Sequence, residues 1–170
     1  MHKPQISCIY LDMDGVIANF EKRYTELYGK VDEKARRKQF AGNFDNFIQT
    51  NQFATLELMP GAMDLVNFLR KAPVPTQILS STARESSYDV ISKQKMVWLQ
   101  THGITFTPNF VPGKKHKYKW AKPNTIIIDD TLSVIDDWRK AGGIAIWHKD
   151  VPTTLAQLRL YVWQRLNNII

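Results

Sequence analysis

The sequence QISCIYLDMDGV at residues 5–16 joins an apolar run to two closely spaced aspartates. A short apolar run that ends at polar and turn-forming residues predicts a buried β-strand. Asp12 and Asp14 follow this run, and Gly15 permits a tight turn that lets the backbone approach a ligand. We therefore expect a strand over residues 5–11 that carries two carboxylates at its carboxyl end.

Four further short apolar runs follow along the chain, and amphipathic stretches separate them. The runs cover residues 76–79, 106–111, 125–128 and 144–147, and the amphipathic stretches cover residues 62–69, 86–101, 133–141 and 152–166. Pro108 indicates that the run over residues 106–111 is irregular or lies at a sheet edge. Strands that alternate with helices imply a parallel sheet covered on both faces. The predicted fold class is therefore α/β, a Rossmann-like three-layer sandwich around a central parallel sheet.

Residues 30–56 interrupt this alternation with polar and basic sequence that contains several phenylalanines. Phe40, Phe44 and Phe47 have the spacing of one helix face, which predicts that they pack this segment onto the rest of the domain. The chain of 170 residues has the length of one domain. We predict a single domain over residues 1–170, with a small helical cap inserted after the first strand over about residues 17–58.

Composition and charge limit the classes of protein to consider. Lysine and arginine number 23 against 16 aspartates and glutamates, a formal net charge of +7, which predicts an anionic partner such as nucleic acid, a membrane surface or a phosphorylated small molecule. Hydrophobic residues at 44% exclude a disordered chain, and the lone Cys8 within an apolar run predicts a buried thiol in a reducing compartment. We see no stretch of the ~20 apolar residues that span a membrane. We expect a cytoplasmic protein without a membrane partner.

Acidic or hydroxyl side chains follow three of the predicted strands directly. They are Asp12 and Asp14, then Ser80, Ser81 and Thr82, then Asp129 and Asp130. The carboxyl ends of parallel strands meet at one edge of a sheet, so these groups converge. Carboxylates in one pocket repel one another, and Mg²⁺ relieves this while bridging to a substrate phosphate. One aspartate can attack phosphorus, a second can act as general acid and then base, and a serine and a lysine can hold the phosphoryl oxygens.

Four stretches of the sequence resemble the motifs of the haloacid dehalogenase (HAD) superfamily of phosphatases. They are LDMDGVIANF at residues 11–20, ILSST at 78–82, the lysine-rich segment at 114–119 and IIIDD at 126–130. Residues 57–69 and 95–103 also resemble the superfamily's 5′(3′)-deoxyribonucleotidase branch. The similarity extends from about residue 11 to residue 148. It implies a HAD-like fold and a Mg²⁺-dependent phosphomonoesterase, a hydrolase of the nucleotidase type.

The resemblance also implies roles for single residues in catalysis and metal binding. Asp12 matches the nucleophile and a Mg²⁺ ligand, and Asp14 matches the acid/base, whose backbone carbonyl also binds the metal. Asp129 matches the metal ligand of the fourth motif. Lys117 or Lys119 is the third-motif lysine, and we favour Lys117 because a K-x-x-aromatic-Ala pattern begins there.

The remaining residues that match the family are on the substrate side. Ser80 matches the strand-end hydroxyl of the second motif, and Ser81 matches a second phosphate-side hydroxyl, although either of them could make the main phosphate contact. We place Thr82 with them in substrate binding. Phe20 matches an aromatic that contacts the nucleotide, but as a lone phenylalanine it could equally belong to the core. Lys95 could reach the phosphate, and we expect it instead at the surface.

The sequence leaves three functions open. The first is hydrolysis of nucleotide or deoxynucleotide monophosphates through a phosphoaspartate intermediate. The second keeps this chemistry but acts on phosphorylated nucleic-acid ends, which the basic clusters favour. The third, a non-catalytic nucleic-acid-binding module, would need the loss of a motif residue, and none is lost. Apolar residues near the C-terminus, among them Val162, Trp163, Ile169 and Ile170, are also consistent with a homodimer.

Overall fold

A five-stranded sheet organises the part of the chain that the computed structural model describes, residues 5–30 and 36–162, with the backbone alone at 36–38. The strands are β1 (Cys8–Leu11), β2 (Thr76–Ser81), β3 (Thr107–Val111), β4 (Thr125–Asp129) and β5 (Ile144–Trp147). Their order across the sheet is β3-β2-β1-β4-β5, and every neighbouring pair is parallel. Strand β3 lies at an edge, which agrees with the prediction from Pro108.

Six α-helices accompany these strands among the described residues. They are α1 (Phe20–Tyr28), α2 (Arg36–Gln49), α3 (Ala62–Lys71), α4 (Tyr88–Thr101), α5 (Leu132–Lys140) and α6 (Val151–Val162). Three short 3₁₀ helices cover Gln52–Ala54, Glu85–Ser87 and Lys114–Trp120. The helix predicted over residues 152–166 corresponds to α6, which begins at Val151. Residues 163–166 of the prediction lie outside the described residues, as do Trp163, Ile169 and Ile170 of the predicted dimer surface.

Alternate residues of the strands bury opposite faces of the sheet, as the twofold repeat of a strand requires. Ile9 and Leu11 of β1 pack into the larger apolar cluster, together with buried residues of α3, α4 and α6. Cys8 and Tyr10 pack into a second cluster with Val134, Ile135 and Trp138, which lie on α5. Helices therefore cover both faces, and the predicted α/β three-layer sandwich is confirmed.

The segment between β1 and α3 contains α1 and α2 and forms a cluster of aromatic side chains. Phe44 and Phe47 are buried as predicted, whereas Phe40 is 39% exposed. The ring of Phe20 stacks on that of Phe53, with centroids 5.6 Å apart. The aromatic rings thus hold α1, α2 and the 3₁₀ helix Gln52–Ala54 together.

Two further predictions from composition can be compared with the structure. Cys8 is buried and unbonded to another cysteine, in agreement with the prediction. Within the described ranges, every helix is either too short or too polar to cross a membrane.

Candidate active site

Three polar side chains that directly end or follow apolar runs meet at the carboxyl edge of the sheet. The register pairs Leu11 of β1 with Ile128 of β4, so the next residues, Asp12 and Asp129, lie side by side. Strand β2 lies on the other side of β1 and carries Ser80 to the same edge. All three are buried, with Asp12 only 3% exposed. The predicted convergence of Asp12, Ser80 and Asp129 is therefore observed.

Lys117 lies between the two aspartates and bonds to both. Its Nζ lies 2.8 Å from Asp12 Oδ1 and 2.6 Å from Asp129 Oδ2. Lys117 lies on the 3₁₀ helix Lys114–Trp120 and is completely buried, while Lys119 on the same helix is exposed. Of the two candidate third-motif lysines, the structure thus brings Lys117 to the carboxylates.

The charged side chains at this edge shift one another's pKa because they are buried away from water. Burial raises the pKa of Asp12, but the positive charges of Lys117 and then Lys95 outweigh it, and the net pKa lies below its ordinary value. Burial, followed by the negative charge of Asp12, raises the pKa of Asp129 to about 6, against the opposing pull of Lys117. Burial alone would lower the pKa of Lys117, but the charges of Asp12 and Asp129 raise it. Asp12 is accordingly held as a carboxylate beside an ammonium.

A cluster of three carboxylates at this edge has the composition of a divalent cation site. One oxygen each from Asp12, Asp129 and Asp130 lies within 4.8 Å of the others. Lys117 forms ion pairs with two of the three carboxylates, those of Asp12 and Asp129. Carboxylate oxygens are the ligands that Mg²⁺ prefers. Asp130, to which the sequence assigns no role, thus belongs to this carboxylate cluster. The carboxylate of Asp14 does not belong to it.

The Asp14 carboxylate bonds to a second buried lysine, Lys95 of α4. Lys95 Nζ lies 2.6 Å from Asp14 Oδ2 and also donates to Ser80 Oγ at 2.7 Å. The prediction of a surface position for Lys95 is wrong, since its side chain is 1% exposed. Helical phase is the signal that could have located it, because Ile91 and Trp98 lie four residues before and three residues after it on the buried face.

The remaining second-motif residues divide between the site and the sheet. Ser81 lines the pocket beside Asp14, and its Oγ accepts a hydrogen bond from Ala83 N at 3.0 Å. Thr82 is wholly buried, and its hydroxyl donates to the Val111 carbonyl at 3.2 Å. The structure therefore turns the Thr82 side chain, predicted to bind substrate, toward β3 and away from the pocket.

A pocket of about 350 Å³ opens beside Asp14. Its walls are mainly aromatic and apolar, and its polar end carries a hydroxyl and an ammonium; the lining residues are Asp14, Phe20, Phe40, Phe44, Phe53, Ser81, Ala83, Ile91 and Lys114. Phe20 thus both packs with its aromatic neighbours and faces the pocket. A flat apolar group could lie among these rings while an anionic group lies at the polar end, beside Ser81 and Lys114.

Gly15 makes room for Asp130 at the turn that follows Asp14. Its φ is +79°, and a Cβ at this position would overlap Asp130 Oδ2. We expect Gly15→Ala to lower the free energy of unfolding by about 1–3 kcal/mol from backbone strain and to weaken Mg²⁺ binding by displacing Asp130. Urea unfolding and Mg²⁺ titration measure the two effects.

Gly103→Ala is the matched control for this change. Gly103 also has a positive φ, +63°, but no described atom lies within 4 Å of a Cβ built there. It should therefore show backbone strain without any change in Mg²⁺ affinity. Equal Mg²⁺ affinities for the two variants would contradict the role of Gly15 in seating Asp130.

Comparison with known proteins adds the fold family to this geometry. No family model and no curated protein sequence matches the chain. Among solved structures, it is similar to a hydrolase from Streptococcus pneumoniae TIGR4, with a TM-score of 0.52 and 16% identity over 92% of this chain and 98% of that chain. A structure from Burkholderia xenovorans LB400, described as a haloacid dehalogenase-like hydrolase, gives a TM-score of 0.52 and 14% identity over 89% and 88% of the two chains. The HAD-hydrolase YfnB from Bacillus subtilis, bound to magnesium, gives 0.52 and 14% over 85% and 89%. The chain therefore has the fold of HAD-like hydrolases.

Proposed function

We propose that this protein is a cytoplasmic, Mg²⁺-dependent phosphomonoesterase of the HAD superfamily that hydrolyses nucleotide or deoxynucleotide monophosphates. The observation that carries the proposal is the pairing of two aspartates with different surroundings. Asp12 is buried and held by Lys117, whereas Asp14, two residues later, lines the aromatic pocket. In this proposal Asp12 is the nucleophile beside a cation site, and Asp14 is the proton-transfer group beside the place for the leaving group.

The proposed reaction has two steps, each with its own bond changes. An oxygen of Asp12 attacks phosphorus, the ester P–O bond breaks, and the leaving oxygen takes a proton from Asp14. Asp14 then takes a proton from a water molecule that attacks the phosphoaspartate. The P–O bond to Asp12 breaks, which releases phosphate and restores the Asp12 carboxylate. Lys117 and Ser80 hold positive charge and a hydroxyl at the edge where the phosphoryl oxygens gain charge.

Mg²⁺ fits the donor set on chemical grounds. Asp12 and Asp129 would hold it through their carboxylates, and Asp14 through its backbone carbonyl, with Asp130 close by. When bound, the ion neutralises negative charge shared between the carboxylates and the phosphate. The magnesium in one of the similar solved structures supports this choice of metal.

The aromatic pocket supports a nucleotide as the substrate. Its volume of about 350 Å³ lies within the range of pockets that bind small organic ligands. Phe20, Phe44 and Phe53 present rings on which a nucleobase can stack, with Lys114 at the polar end. A simple sugar phosphate would leave the pocket-facing surfaces of these rings uncovered.

A substrate panel with and without Mg²⁺ tests the proposal. We expect nucleoside and deoxynucleoside monophosphates to be hydrolysed at least about tenfold faster, by kcat/KM, than ribose 5-phosphate or glycerol phosphate, because stacking on the pocket contributes about 1.4 kcal/mol or more. Excess EDTA should abolish the activity, and added Mg²⁺ should restore it.

Other outcomes of the panel would favour the alternatives. Faster release of phosphate from a 5′- or 3′-phosphorylated oligonucleotide than from any mononucleotide would favour nucleic-acid ends. A folded protein that hydrolyses none of these esters with Mg²⁺ supplied would contradict the proposal and favour a non-catalytic binding module.

A further inference from the structure

Lys95 is a buried lysine whose three N–H donors are all used near the active site. Its Nζ donates to Asp14 Oδ2 at 2.6 Å, Ser80 Oγ at 2.7 Å and the Ser81 carbonyl at 2.9 Å. The same Nζ lies 5.3 Å from the centroid of the Phe53 ring, which lines the pocket. One ammonium thus contacts the proposed acid/base, the second-motif strand end and the pocket wall.

The Asp14 carboxylate depends on this single lysine for its orientation. Oδ2 is bonded to Lys95, while Oδ1 is buried and has no hydrogen-bond partner among the described residues. An unpaired buried acceptor costs free energy, so the observed orientation needs a compensating contact. The ion pair with Lys95 provides it.

Helix α4 holds Lys95 in a fixed position relative to the pocket. The adjacent Gln94 accepts a hydrogen bond from Phe53 N at 3.1 Å and donates to the Ile48 carbonyl at 2.7 Å. One turn later, Trp98 Nε1 donates to the Leu56 carbonyl at 2.7 Å. The helix that carries Lys95 is therefore fastened to the same segment that forms the aromatic wall.

We propose that Lys95 is a positioning residue that sets the Asp14 carboxylate against the leaving-group oxygen of the ester. It acts through Asp14, to which it bonds directly, whereas Lys117 is the lysine that bonds to the nucleophile Asp12. This inference rests on the proposed phosphomonoesterase function. It predicts that loss of Lys95 lowers the rate of hydrolysis most for esters whose leaving group most needs a proton.

Lys95→Met tests the inference with a series of leaving groups. The measurement is the single-turnover release of the leaving group with Mg²⁺, from 4-nitrophenyl phosphate, phenyl phosphate and a nucleoside 5′-monophosphate. Because general acid catalysis contributes about 10²–10⁴-fold, we expect the nucleotide rate to fall at least about 100-fold and the 4-nitrophenyl rate to fall by less than about threefold. Lys93→Met, an exposed lysine on the same helix, should change neither rate.

Each remaining outcome overturns the inference or the function separately. Equal losses for all esters would place Lys95 on the phosphoryl group and overturn the positioning role. Lys95→Gln, which keeps an N–H donor, is used if Lys95→Met does not fold, and failure of both to fold would make Lys95 structural and overturn the inference. Wild-type protein that hydrolyses no ester would instead overturn the proposed function.

Discussion

Asp12→Asn is expected to abolish hydrolysis of every phosphomonoester that the wild-type protein accepts. The substitution keeps the shape of the side chain and removes the carboxylate that attacks phosphorus. Loss of a nucleophile costs several orders of magnitude in kcat, so we expect a fall of at least about 10³-fold. Stopped assays for released phosphate measure it. Lys117 keeps its bond to Asp129 at 2.6 Å, so the variant should fold.

The covalent intermediate gives this prediction a second, independent measurement. Acid-quenched wild-type protein should carry one phosphoryl group on the peptide that contains Asp12, and Asp12→Asn should carry none. Asp136→Asn, an exposed aspartate on α5, is the matched control and should keep full activity. Residual activity of Asp12→Asn above about one tenth of wild type would show that another group attacks phosphorus, and the proposed mechanism would be wrong.

The sheet could be predicted from sequence because buried strands leave a strong local signal. The runs before Asp12 and Asp129 are almost wholly apolar and end at a charged residue. The pattern therefore marks both the strand and the point where it ends. The order of the strands in the sheet depends on packing and cannot be predicted from the local pattern. Their parallel direction can be predicted, because helices connect them. Pro108 likewise indicated that β3 is irregular or lies at an edge, since a proline cannot donate within a ladder.

The lysines were harder to predict from local sequence than the aspartates, although the K-x-x-aromatic-Ala pattern favoured Lys117. Lys117 and Lys119 lie in one basic run, and only the fold shows which of them is buried beside the aspartates. Lys95 was predicted at the surface because charged side chains are rarely buried unless they are paired. Its partner Asp14 lies 81 positions away in the chain, and such a pairing has no signature at short range.

Thr82 shows the opposite error, a polar residue assigned to the site because its neighbours belong there. Strand β2 ends at Ser81, so Thr82 lies just beyond it and its side-chain direction does not follow from the alternation of the strand. The chain then turns at Ala83, which has a φ of +68°. The Thr82 side chain faces β3, where its hydroxyl donates a hydrogen bond to the Val111 carbonyl.

Lys117→Met is expected to cause the largest loss of stability of any single change at the site. It removes an ammonium that bonds to both Asp12 and Asp129 and leaves two buried carboxylates. Breaking a buried ion pair from one side costs about 3–5 kcal/mol. Urea unfolding at pH 7.5 without Mg²⁺ measures the loss, and millimolar Mg²⁺ should recover part of it because the ion neutralises the same carboxylates.

The pH dependence of this loss has a definite sign. The pKa of Asp12 is lowered from its ordinary value of 3.8, so its pairing stabilises the fold above that value and ceases to do so as the pH falls through the lowered pKa. The pKa of Lys117 is raised above 10.5, so its contribution is fully present at pH 7.5. In Lys117→Met the two carboxylates have lost this pairing, and burial then raises the pKa of each. They take up protons as the pH falls from 7.5 toward 4, so the difference in stability between wild type and the variant should shrink over this range. Lys119→Met, exposed on the same 3₁₀ helix, should show no such difference at any pH. A loss that stays constant across this range would mean that Lys117 stabilises the protein by packing alone, because packing does not depend on the charge of the aspartates.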